Sequence, residues 1–205
     1  VQRLGVPVAL ETWTACIYIA SSRDFFRLGI ACLEKMVECG AIPDGKAFNQ
    51  VMACCEKKGR GEEAMHLFNF MRGHGIEAPP LTYWALASLL SCEGRWDDFK
   101  IVEGDLRARD FPESIKERFY STAVVARSGA RDWQGALGML RRMHECGAVP
   151  SIRGFTTALS TCMAAGAYQA VRDFVEEVRG WAIFEFDVAT YNVVINSYAS
   201  ERDLE

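Results

Sequence analysis

Eight cysteines and three histidines are the side chains of this 205-residue chain best suited to hold a metal or attack a substrate. Their spacing argues against both uses. Cys16, Cys32, Cys39, Cys54, Cys55, Cys92, Cys146 and Cys162 contain no CxxC pair and follow a helical phase. That pattern predicts small core or groove residues in a reducing compartment, not disulfides or zinc ligands. His66, His74 and His144 have no His or Cys at ligand spacing and read as surface residues. Cys54 and Cys55 are adjacent, but Cys55 belongs to a core stripe. The acid pairs Glu62-Glu63, Asp97-Asp98 and Glu176-Glu177 fall at helix starts or on outer faces, where helix polarity and solubility explain them. There is no phosphate loop, hydrolase elbow or HExxH motif. The expectation is a non-enzyme with no cofactor, no metal and no small-molecule substrate.

Charge sets the next bound. The formal net charge is −4 and the isoelectric point about 5.5, whereas a protein that binds through phosphate contacts is usually basic. A nucleic-acid role therefore needs a local basic strip. No apolar run approaches the roughly 20 residues of a membrane-spanning helix, so no span is expected, and residues 1–5 have the features of neither a signal nor a transit peptide.

The elements that must position any site are helix pairs. Phe48, Val51, Met52 and Cys55 recur at i, i+3, i+4, i+7, the stretch Lys58-Gly59-Arg60-Gly61 breaks the pattern, and Ala64, Leu67, Phe68 and Met71 repeat it. Two such helices leave an apolar face bare unless copies stack beside them. Copies are present. Glu38-Cys39-Gly40-Ala41-Ile42-Pro43-Asp44 returns as Glu145-Cys146-Gly147-Ala148-Val149-Pro150-Ser151, with a period of about 35 residues. Trp13, Phe48, Tyr83, Tyr120, Phe155 and Tyr191 hold the fourth place of successive copies. The expected organisation is 1–9, tail of a preceding copy; 10–44, 45–79, 80–116, 117–151 and 152–187, five copies; and 188–205, the first helix of a sixth. The register of the fourth copy is open: two extra residues fall either in the link Asp110-Phe111-Pro112-Glu113 or in Ser128-Gly129-Ala130-Arg131. One further extra residue falls in Ile183-Phe184-Glu185-Phe186.

At Asp187 to Ile195, DVATYNVVI, and at Gly59 to Met71, GRGEEAMHLFNFM, the chain resembles the pentatricopeptide repeat family, and the resemblance covers Leu10 to Glu205. The tetratricopeptide pattern, with its Trp-x-x-Leu-Gly-x-x-Tyr first helix, is absent from every copy. The resemblance implies an all-α fold, a right-handed superhelical solenoid of five to six helix-turn-helix repeats whose first helices line the concave face. It also implies single-stranded RNA read at about one base per repeat by two or three side chains.

In that family the fifth residue of a repeat bonds the base edge, the last assists it, and the second packs against the base. Carried over, Thr14 with Asp44 and Thr156 with Asp187 match a guanine-favouring pair, while Asn49 and Asn192 match a pyrimidine preference. Pro79 gives Asn49 no polar assistance. Ser121 with Ser151 is a weak purine reader, and Trp84 can stack on a base but cannot read one. The implied preference runs guanine, pyrimidine, anything, purine, guanine, pyrimidine from 5′ to 3′. At second places Lys46, Arg118 and Arg153 set a stem against a base and a charge near phosphate, whereas Glu11 repels it. Lys57 stands where the family often contacts the RNA backbone. Only about four cations line this implied groove, so affinity should be modest and salt-sensitive.

The function implied is a non-catalytic RNA-binding protein of mitochondria or plastids (chloroplasts), acting in RNA processing, stability or translation. The alternative is a scaffold subunit of a large organellar assembly such as a ribosome, using the array for protein partners or for ribosomal RNA without base reading. Acidity, Trp84, Pro79 and Glu11 favour the alternative, and Thr14/Asp44, Thr156/Asp187 and Asn192 favour base reading. An exposed positive strip past Lys46, Lys57, Arg118 and Arg153 would discriminate the two.

Overall fold

The computed structural model describes residues 10–23, 25–181 and 185–202. Among them there are eleven α-helices and no strand: α1 (Leu10–Ser22), α2 (Phe26–Glu38), α3 (Gly45–Lys58), α4 (Gly61–Gly73), α5 (Pro80–Cys92), α6 (Trp96–Ala108), α7 (Glu113–Gly129), α8 (Trp133–Glu145), α9 (Ile152–Ala164), α10 (Tyr168–Trp181) and α11 (Val188–Arg202). The expected all-α array of helical hairpins is what the chain forms.

The second hairpin shows why. The Asp44 carboxylate accepts from the Ala47 N–H at 2.8 Å and so caps α3. Gly59, at φ 59°, closes it in the left-handed conformation that glycine adopts without steric cost. The two stripes then face inward: Phe48, Val51, Met52 and Cys55 on α3, and Ala64, Leu67, Phe68 and Met71 on α4, are all buried. Each large apolar side chain of such a stripe contributes about 1.5–3 kcal/mol through burial. Phe68 meets Tyr83 of the next hairpin edge to face, with centroids 5.8 Å apart.

The structure falls into two compact units, Val1–Val102 and Glu103–Glu205. In the first, α3 packs against α1, α2, α4 and α5. In the second, α9 packs against α7, α8, α10 and α11. A first helix therefore touches its own second helix and the first helices on either side, so each unit has a layer of first helices. Phe48, Tyr83, Tyr120 and Phe155 are fully buried, one per hairpin. Trp13 is half-buried and Tyr191 is 51% exposed.

The fourth hairpin departs from the others. Its link, residues 109–112, is two residues shorter than residues 39–44, 74–79 and 146–151, and α7 begins at Glu113, giving a first helix of 17 residues. The extra length has a use, because the Glu113 carboxylate accepts from the Val149 N–H at 2.9 Å. Downstream the phase is kept. The left-handed turn residue follows the inward aromatic by the same interval in four hairpins, as Gly59, Gly94, Arg131 and Gly166. Residues 1–9, taken as the tail of a preceding copy, lie outside the described residues, as do Ile183 and Phe184 of the stretch in which the single-residue insertion was placed.

Candidate nucleic-acid interface

The last-place residues are helix caps before they are anything else. Asp44 caps α3, the Ser151 hydroxyl accepts from the Gly154 N–H at 3.2 Å and caps α9, and Asp187 accepts from both the N–H and the hydroxyl of Thr190 at 2.8 Å. Those bonds from Thr190 hold the Asp187 carboxyl below its ordinary range. At α5 and α7 the cap places are Pro79 and Pro112, neither of which offers a side-chain acceptor.

The fifth-place residues all lie on first helices. Thr14 donates to the Glu11 carbonyl at 2.9 Å and Thr156 to the Ile152 and Arg153 carbonyls at 3.0 and 3.2 Å. Their hydroxyl protons are thus spent within the helix, leaving lone pairs outward. Ser121 donates to Glu117 at 2.8 Å. Asn49, which has Pro79 in place of a polar assistant, instead accepts at 3.2 Å from the hydroxyl of Thr82, a fully buried residue of α5. With its oxygen held there, Asn49 turns its N–H donors elsewhere. Trp84 is half-buried and Asn192 exposed. Lys46 and Lys57 are exposed on α3, Arg118 on α7 and Arg153 on α9. In the first unit Thr14, Lys46, Asn49, Lys57 and Trp84 share the first-helix layer. Arg118, Ser121, Arg153, Thr156 and Asn192 share that of the second.

The electrostatics divide the same way. Cations of the second helices, with Arg60 and Arg95 just before them, are neutralised or stacked. Arg27 pairs with Glu63 at 3.8 Å, Arg95 with Asp98 at 2.7 Å, Arg141 with Glu177 at 2.7 Å and Arg142 with Glu103 at 3.1 Å, and Arg60 lies over the Phe26 ring. Among the described residues, the lysines and arginines whose side chains have no partner are Arg23, Lys46, Lys57, Lys116, Arg131 and Arg153. Every one sits on a first helix or in the turn that follows it.

The family model of the pentatricopeptide repeat matches residues 46–76 and 189–205. Those two stretches are thus pentatricopeptide repeats. Crystal structures of proteins built from such repeats share the fold of this one. The pentatricopeptide repeat protein PPR10 from maize aligns with a TM-score of 0.62 at 21% identity, covering 98% of this chain and 28% of that one. PPR10 in complex with an 18-nt psaJ RNA element aligns at 0.52 and 20% identity, covering 94% and 31%. The PPR domain of Arabidopsis thaliana protein-only RNase P 1 in complex with tRNA aligns at 0.57 and 14% identity, covering 89% and 95%. The chain therefore spans less than a third of PPR10. No curated protein matches it in sequence.

Several features were not legible beforehand. The ion pairs Arg27–Glu63 and Arg141–Glu177 join residues 36 apart, so acids read as solubilising groups tie neighbouring second helices together. His144, read as a surface residue, stacks on Trp181 at 4.2 Å. Cys54, Cys55 and Cys162 are buried, but Cys16, Cys39 and Cys92 are exposed and so are not core residues. The helix after Gly94 is a 13-residue α6, and its Glu103 is buried among arginines. Among the described residues no group of His, Cys, Asp and Glu is placed to hold a metal ion, and no helix is long and apolar enough to cross a membrane.

Proposed function

We propose that this protein binds single-stranded RNA along its first helices and performs no chemistry on it. The observation that carries the reading is the sorting of charge: in an acidic protein, the unpartnered cations among the described residues all lie on first helices or in the turns that follow them. The base readers are Thr14 with Asp44, Asn49, Ser121 with Ser151, Thr156 with Asp187, and Asn192. Trp84 is a stacking residue, and Lys46, Lys57, Arg118 and Arg153 carry the backbone charge. The RNA-bound crystal structures of PPR10 and of the RNase P 1 repeat domain support the ligand class. An organellar setting, mitochondrion or plastid, with a role in RNA processing, stability or translation is part of this proposal.

Fluorescence anisotropy with single-stranded RNA tests it. Binding should weaken as salt rises, and replacing Lys46, Lys57 and Arg153 with glutamine should flatten the slope of log K against log salt by about 2, at about 0.7 per lost phosphate contact. Replacing the first guanine of the preferred sequence should weaken binding through Thr14 and Asp44. No binding at low salt would overturn the reading. A second reading, a scaffold subunit holding protein partners, is favoured by the net charge of −4 and by Asn49, whose oxygen is held by Thr82 instead of being free for a base. Crosslinking and sequencing on the native protein, together with its location in the cell, separates the two.

A further inference from the structure

A groove of about 610 Å³ lies between α7 and α9, lined by Val125, Ser128, Gly129, Arg131, Thr156, Thr157, Ser160, Thr161 and Ala164. Its size is within the range of small-ligand clefts, roughly 300–1,000 Å³, and no carboxylate lines it. Four observations converge here. Arg131 stands at φ 59° where the other described hairpins have Gly59, Gly94 and Gly166, and it is the one non-glycine with a left-handed backbone among the described residues. Such a conformation is strained for a residue with a Cβ and, at a ligand-binding surface, points to a use for the side chain.

Second, Arg131 keeps its charge. The adjacent Asp132 is already committed, one oxygen to the Arg127 guanidinium and the other to the Gly135 N–H at 2.9 Å. Third, the α9 wall is a run of hydroxyls with a defined polarity. Thr157 donates to the Arg153 carbonyl at 2.7 Å and Thr161 to the Thr157 carbonyl at 2.9 Å. Their oxygens therefore remain as acceptors, while Ser160 has no intramolecular bond and is exposed. Fourth, the groove reaches Thr156, a fifth-place residue, so a base at Thr156 would place its own sugar and phosphate over these groups.

We propose that this groove holds the sugar–phosphate backbone of one ribonucleotide: Arg131 ligates the phosphate, and the Thr157 and Ser160 hydroxyls receive the ribose 2′-hydroxyl. The site rests on the single-stranded RNA reading and adds to it residues outside the base-reading places. A 2′-hydroxyl donating to Thr157 lets the fourth and fifth hairpins distinguish RNA from DNA, and a fixed cation at this junction sets the register of the strand.

The test uses the full 205-residue chain and two fluorescein-labelled probes, single-stranded RNA of randomised sequence and DNA of the same design. Arg131→Gly removes the cation and gives the turn the residue its backbone favours, so folding and binding should move in opposite directions. The melting temperature should rise by about 2 °C. RNA and DNA affinity should both fall, irrespective of sequence, and the salt slope should flatten by about 0.7. The pair Thr157→Val and Ser160→Ala should lower the preference for RNA over DNA and leave the salt slope unchanged. An Arg131→Gly protein with unaltered affinity and slope overturns the site while leaving the RNA reading standing. A wild-type chain that binds neither probe overturns both.

Discussion

The Glu93 carboxylate, in the turn of the third hairpin, accepts a hydrogen bond at 2.8 Å from the backbone N–H of Gly61, the first residue of α4 in the second. The N-cap residue of α4, Arg60, supplies no side-chain acceptor, so the next repeat caps this helix from outside. A Cβ at Gly61 would run into the same carboxylate. Glu93→Ala should cost about 1 kcal/mol, the usual worth of a lost cap, read as a fall of about 2–4 °C in the calorimetric midpoint. Glu93→Gln, which keeps an acceptor, should lose less. No change on Glu93→Ala would show the bond to be incidental.

The second unit contains a buried polar knot. Glu103, with 4% of its side chain exposed, accepts from the Tyr120 hydroxyl at 2.7 Å and lies 3.1 Å from both Arg107 and Arg142. Arg107 also donates to the Tyr120 oxygen at 3.0 Å and to the Arg142 carbonyl at 3.0 Å. Burial pushes the Tyr120 phenol well above its ordinary range, so it stays a donor. Breaking a buried pair costs about 3–5 kcal/mol, but both arginines are 35% exposed, so about 2 kcal/mol is expected for Glu103→Ala after solvent screening. Tyr120→Phe should cost about 1 kcal/mol. Urea denaturation of the single and double variants should show coupling, and strict additivity would argue against a network.

Stability should fall in alkali. Burial raises the Cys55 thiol to about 12, with Cys54 and Glu63 adding to the shift, and raises Cys162 to about 11. The folded state therefore holds these protons where an unfolded chain, titrating near 9, has released them. The contribution is fully present below pH 9 and is lost as pH climbs through 11 and 12. At a pH near 10.5 the loss should be on the order of 3 kcal/mol, measured from the urea midpoint against one near pH 8. Cys55→Ala with Cys162→Ala should flatten this dependence. A thiol reagent should label Cys16, Cys39 and Cys92 in the native protein, and Cys54, Cys55 and Cys162 only on unfolding.

How far the fold was legible follows from what repeats make redundant. The stripe Phe48, Val51, Met52 and Cys55 and its counterpart on α4 announce themselves by period, and every copy restates the message. The use made of the early start of α7 was hidden because the partner of Glu113, the Val149 N–H, lies 36 positions away. For the same reason nothing local to Glu103 announces its burial, since its arginines and tyrosine come from α6, α7 and α8. At the candidate site the positions could be read from phase, but not their hydrogen-bond commitments. Nothing local to Asn49 reveals that Thr82 holds its oxygen, and nothing in Ser128-Gly129-Ala130-Arg131 shows that the arginine, not a glycine, takes the left-handed place.

Because Asp44, Ser151 and Asp187 begin helices, the alphabet open to the last place of a repeat is set by folding as well as by any message it helps read. Only short side chains with an oxygen near the backbone serve both ends. Re-spelling such a position to favour a different nucleotide therefore tugs on the hairpin that follows, and a designer altering specificity here would be wise to trade among aspartate, asparagine, serine and threonine alone.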